Sequence, residues 1–203
     1  HSFTGLRPSP AVSVLREASE RTNAIAGWVL LGVVALTAIR GLVTGRYVWF
    51  VLQAGFVAVA ALPALALRDW RLLVPWPVLA VGASALVAQA FGLHQDLTAY
   101  VAVASVSLVT VAELDAYTDV EMSQRFSIAF AVLTTIALQG LWTILQYYAD
   151  QWLGTSYIGS QADLQWDFVY VTLVAFAVGG AFELYFKRAD PDGAHEEPTV
   201  NET

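Results

Sequence analysis

Long apolar runs alternate with short polar connections along this chain, and within each run apolar residues occupy every side rather than one stripe. Buried helices of a water-soluble protein keep a polar outward face, so the pattern predicts helices whose outer surface meets lipid. A bilayer core about 30 Å thick needs about 20 mostly apolar residues per crossing. Six runs meet that need: Ala24 to Val43, Val48 to Leu67, Leu72 to Phe91, Leu97 to Leu114, Phe126 to Tyr147 and Trp166 to Phe186. The expected fold class is all-α, a polytopic membrane helix bundle with six transmembrane helices.

The runs divide the chain into a segment 1–22, a six-span domain 23–188 and a tail 189–203. In the first segment Ser9 and Pro10 suit an N-cap and first helical residue. Ala11, Val14, Leu15 and Ala18 follow at helical spacing, which predicts an interfacial helix or, equally, a frayed polar tail. The chain begins at His1 rather than methionine, which reads as a trimmed or tagged start. The first run lacks the flanks of a cleavable signal sequence and reads as permanent. The tail carries Asp190, Asp192, Glu196, Glu197 and Glu202 with little apolar material, a composition that predicts disorder.

Charge sets the orientation. Lys and Arg collect in cytoplasmic loops, and with an even number of spans both termini share a side. That side holds Arg7, Arg16, Arg21, Arg68, Arg71, Arg125, Lys187 and Arg188, against Arg40 and Arg46 on the other. Both termini are therefore expected in the cytoplasm of a multi-pass protein of the cell membrane. Trp49, Trp152 and Trp166 then fall at the outer boundary and Trp28, Trp70 and Trp76 at the inner one, the depth amphipathic indoles prefer. Trp142 alone falls inside a span.

Composition narrows the chemistry. Apolar residues make up 57% of the chain and charged ones 13%, where a soluble domain has about 45–50% and about 25%. There is no cysteine, which excludes disulfides, thiol catalysis, iron–sulfur clusters and thiolate zinc sites. A net charge of −7 with a single lysine argues against nucleic-acid binding. Acidic water-facing segments rich in Ala and Val also resemble proteins of salt-loving archaea. The expected partners are the lipid bilayer and a membrane protein or a second copy of the chain, and no cofactor is expected.

Polar groups inside the runs are the candidate functional residues, because such groups in a bilayer normally face a bundle interior. Thr135, Gln139, Thr143 and Gln146 recur in steps of four, four and three along one face of the fifth span. That stripe suits interhelical hydrogen bonding and, as the alternative, the lining of a solute path. Gln53 and Gln89 are potential partners. Glu183 precedes Lys187 by one helical turn and suits an ion pair. Glu113 is the deepest of an acidic group with Asp115, Asp119 and Glu121, whose spacing fits a hydrated turn better than a cation site. His94 and Asp96 share a short turn and would need further ligands to hold a metal. No metal site is expected.

The segment from Tyr148 to Gln165 is the one long connection, and Asp150, Trp152 and Asp163 within it, with Asp167 just beyond, mark the candidate outer surface. Gly41 and Gly45 form a GxxxG pair that permits close helix contact. No internal repeat is visible, so the inverted-repeat signature of many transporters is missing.

Three stretches resemble a group of multi-span membrane proteins related to the YjdF-type inner-membrane family. They are Leu62-Pro63-Ala64 before Arg68-Asp69, the run from Trp142 to Tyr147, and the run from Asp163 to Asp167. The resemblance implies a helix bundle over roughly residues 47 to 188. Where that family has two glutamates in the fifth span this chain has Thr143 and Gln146, and where it has an Asp-x-x-x-His pair this chain has Asp96 and Tyr100. The neutral replacements imply loss of any protonation or metal binding at those glutamates. The expected function is a non-enzymatic membrane component or complex subunit, with a small solute or ion transporter or channel as the alternative. An intramembrane lipid-acting enzyme ranks last, because no nucleophile–base pair or catalytic constellation is visible.

Overall fold

The computed structural model describes residues 10–117 and 124–189, without the side chains of 10–18, 95, 115–117, 124–125, 127–128 and 182–189. The described chain is all helical: α1 Pro10–Val43, α2 Tyr47–Ala66, α3 Trp76–Ala90, α4 Gln95–Tyr117, α5 Gln124–Leu153 and α6 Gln161–Ala189. Five of them carry stretches long and apolar enough to cross a membrane. The exception is α3. Its apolar run begins at Leu72, but Pro75 takes an extended conformation at the N-cap and Pro77 follows at the start of the helix, so winding begins only at Trp76. Fifteen residues at 1.5 Å per residue give about 22 Å, short of the about 30 Å core.

Helix ends follow local chemistry. At the end of α1 the Arg46 N–H donates to the Gly41 carbonyl at 2.8 Å and the Gly45 N–H to Leu42 at 3.3 Å. With Gly45 at φ +78 this is a Schellman cap, so the GxxxG pair serves the turn into α2. An equivalent cap ends α2, where the Asp69 N–H reaches Ala64 at 3.1 Å. There Arg68 rather than glycine takes the left-handed position, at φ 55. Asn23 of α1 replaces a missing cap at α3: its Oδ1 accepts the Trp76 N–H at 2.7 Å, and its Nδ2 donates to the Leu73 carbonyl.

The larger apolar core joins Leu31 and Val34 of α1, Phe56 and Ala60 of α2, Leu79 and Leu86 of α3, and Ala102 and Val109 of α4. The smaller joins Val48 and Trp49 to Val103, Trp142 and Val171. Both draw on α4, which forms the axis of the bundle. α5 packs on α4 and α6 and meets α2 only sparsely. Outside, Val29, Leu36, Leu62, Leu65, Leu133, Leu141, Leu173 and Phe176 are exposed. An apolar surface of that extent is foreign to soluble monomers and compatible with insertion into lipid.

The expected acidic tail beyond Ala189, together with Asp119 and Glu121, lies outside the described residues. The same holds for the side chains of Asp115, Glu183 and Lys187.

Candidate functional site

The α1–α2 turn, the end of α3, the start of α4, the second half of α5 and the start of α6 meet at one end of the bundle. They enclose an open vestibule of about 740 Å³, within the range of about 300–1,000 Å³ typical of small-molecule sites. Three carboxylates line it, Asp96, Asp163 and Asp167, against one cation, Arg46. Three amides, Gln89, Gln139 and Gln146, add neutral polarity. Six aromatic rings complete the wall: Trp49, Tyr100, Trp142, Tyr157, Trp166 and Tyr170.

The rings are held in two groups. Trp49 and Trp142 lie 5.1 Å apart between centroids, tilted by 57°. Tyr170 stacks with both Tyr100 and Trp166, each at 5.8 Å between centroids. The Tyr100 hydroxyl donates to Asp167 Oδ1 at 2.5 Å, and this charge-assisted bond ties α4 to α6.

Arg46 is anchored from behind. Its guanidinium donates to the carbonyls of Gln89 and Ala90 at 3.2 to 3.5 Å, and Arg40 donates to Ala90 at 3.4 Å while lying over the Phe91 ring. Both carbonyls lie in the last turn of α3, where the helix dipole is negative, and the Gln89 carbonyl also accepts the Gly92 N–H at 3.1 Å. The two arginines that stand apart in the charge count thus share one task, the capping of α3. Gln89 is fixed from its side-chain end too, its Oε1 accepting the Thr98 hydroxyl at 2.8 Å.

The polar stripe on α5 splits. Gln139, only 4% exposed, and Gln146 line the vestibule with Trp142 between them. Thr135 and Thr143 instead return their hydroxyls to the carbonyls of Ala131 and Gln139, at 2.8 and 3.0 Å. Gln53 donates to the Leu86 carbonyl at 3.2 Å rather than to the stripe, and its Oε1 is buried without a partner among the described residues. Glu113 is buried on α4 with Oε1 likewise unpartnered, away from the vestibule lining.

The α5–α6 connection is built by its own carboxylates. Asp150 Oδ1 accepts the Thr155 hydroxyl at 2.6 Å and the Tyr157 N–H at 2.9 Å, and Oδ2 accepts the Ile158 N–H at 2.9 Å. Asp150 therefore shapes the loop that carries Tyr157 to the vestibule. Asp163 and Ser160 form a capping box at the start of α6: Asp163 Oδ2 accepts both the N–H and the hydroxyl of Ser160 at 2.8 Å. Trp152 points away, exposed and against Tyr148. Burial raises the Tyr157 phenol above its ordinary pKa, with the Arg46 guanidinium working against the shift and the Asp150 carboxylate adding to it.

Asp96, Tyr100 and Gln146 share the vestibule; Thr143 does not. His94 takes φ 42 in the turn before α4 and is not part of the lining. Among the described residues no three His, Asp or Glu side chains are placed to hold a metal ion. Sequence reasoning misses the vestibule roles of Arg46, Tyr157 and Tyr170. The signal for them was the clustering of aromatic and polar residues at the ends of several runs, which also fits an interfacial belt.

A family model described as Domain of unknown function (DUF8268) matches residues 13–73. That stretch contains α2 and most of α1, including Arg46 and Trp49 of the vestibule, and leaves out the acidic wall on α4 and α6. No curated protein matches the chain, and no solved structure matches it.

Proposed function

We propose that this is a multi-pass membrane protein whose vestibule binds a small organic cation of the ammonium type. The observation that carries the reading is the composition of the wall, three carboxylates and six aromatic rings against one guanidinium that already caps a helix. Cations are attracted to the faces of Trp and Tyr rings, most strongly where water is scarce, and a net negative lining adds Coulomb attraction that low dielectric strengthens. Nothing in this chemistry requires a reaction, so the protein acts as a binding component of the membrane.

The proposed topology has six crossings with both termini in the cytoplasm, which opens the vestibule to the outside. The unequal charge of the two sides supports it. The stretch from Leu72 to Pro75, with Leu73 and Val74 buried, continues the apolar run ahead of the about 22 Å of α3.

A second reading, transport of the same cation, draws on the dead end of the vestibule. Away from its mouth the bundle interior is filled by Phe56, Leu79, Leu86 and Val109. A site open to one side and dry on the other is one of the two states that a transporter alternates between.

Calorimetry on the purified protein with tetramethylammonium and choline tests the first reading: saturable binding is expected, weakened at least ten-fold in Asp167→Asn. No heat of binding for either cation would sink it. Counterflow of labelled choline in reconstituted vesicles separates transport from binding alone.

A further inference from the structure

A second depression adjoins the vestibule. It is an apolar groove of about 230 Å³ between α2, α4 and α5, lined by Leu52, Gly55, Val103, Val106, Leu138 and Leu145 among others. Trp142 belongs to both walls. Along α5 neighbouring residues serve the two linings: Leu138 faces the groove and Gln139 the vestibule, and Leu145 and Gln146 repeat the arrangement about two turns further on. The groove follows from the sparse contact of α5 with α2, and Gly55 keeps it open, since a Cβ there would meet nothing within 4 Å.

We propose that the vestibule and the groove hold one ligand, a membrane amphiphile with an ammonium headgroup in the vestibule and its alkyl chain in the groove. The inference rests on the cation reading above and names the form in which the cation arrives. Lipid tails are as apolar as the groove, so hydrophobicity gives no preference for one over the other. The groove selects a chain by shape, and the carboxylates and rings beyond Trp142 select its headgroup by charge. At about 30 Å³ per water-sized group the groove accepts about eight methylene-sized units, so the chain's remainder stays in the bilayer. A ligand of this kind enters sideways from the membrane and needs no passage through the open mouth.

The test uses the full protein in nanodiscs of phosphatidylglycerol, which carries no ammonium group. Two probes share one diazirine-bearing dodecyl chain, one ending in trimethylammonium and the other in a hydroxyl. The ammonium probe is expected to label the 138–145 segment at least five-fold more than the hydroxyl probe, and excess tetramethylammonium should remove the difference. Gly55→Leu, which fills the groove, and Leu141→Trp, which narrows it from the lipid side, should each abolish that labelling while calorimetric binding of tetramethylammonium stays within two-fold. Equal labelling by the two probes, with tetramethylammonium still bound, overturns this inference and leaves the cation reading standing. Absence of tetramethylammonium binding overturns both.

Discussion

Tyr100 of α4 and Asp167 of α6 are joined by a 2.5 Å hydrogen bond from phenol to carboxylate, the shortest polar link across the vestibule. Asp167→Asn keeps the shape and removes the charge, so cation affinity should fall at least ten-fold while the fold persists. Tyr100→Phe should act differently. It leaves the carboxylate in place and costs the helix contact about 1.5–3 kcal/mol, visible as a lower Tm in detergent with little loss of affinity.

The division of the α5 stripe gives a contrast within one helix. Thr135→Val and Thr143→Val remove hydroxyls that bond only to their own helix, and ligand binding should change by less than two-fold. Gln139→Leu and Gln146→Leu remove amides from the vestibule wall and should weaken tetramethylammonium binding by about five-fold or more, roughly 1 kcal/mol each. Calorimetry on the four variants checks the pattern, and equal effects from all four would refute the split.

Gly82 is a packing constraint. A Cβ on it would lie 2.6 Å from Phe56 Cε2 and 2.9 Å from Ser105 Cβ, inside the core where α2, α3 and α4 meet. Gly82→Ala should destabilise by about 1–3 kcal/mol through overpacking. Gly140→Ala, with nothing within 4 Å, is the matched control and should be neutral or slightly stabilising. Thermal unfolding in detergent measures both.

Asp150 holds the α5–α6 connection through three accepted hydrogen bonds. In Asp150→Ala the amides of Tyr157 and Ile158 lose their acceptor, and their hydrogen exchange should accelerate about ten-fold or more. Exchange at the α2 amides should be unchanged. Uniform acceleration throughout the chain would mean global destabilisation instead.

The absence of cysteine makes the topology directly testable. An impermeant maleimide should label Ser156→Cys and Leu93→Cys in intact cells and Asp69→Cys only after permeabilisation. If α3 failed to cross, Leu93→Cys would react on the same side as Asp69→Cys.

The all-helical bundle was legible because apolar runs bounded by charge report helix existence reliably. The apolar run that begins at Leu72 winds as helix only from Trp76, because hydropathy is blind to the two prolines inside it. Thr143 and Gln146 share a helical face in the sequence, yet their uses differ. A threonine can satisfy its hydroxyl on the carbonyl one turn back, whereas a glutamine is longer and reaches beyond its own helix. Gln139, Gln146, Asp163 and Asp167 of the vestibule stood out in the sequence, but their convergence did not. The vestibule forms only where the ends of α3 and α5 meet the beginnings of α4 and α6, a convergence set by packing and not by any spacing along the chain.

The Trp49–Trp142 pair has a consequence for observation. Two indoles at 5.1 Å with a 57° tilt are close enough for their electronic transitions to couple. Together they form a chiral chromophore within the site itself. Its circular-dichroism couplet would follow any change in the mutual angle of α2 and α5, so the molecule carries an intrinsic optical gauge of its own helix geometry, with no label attached.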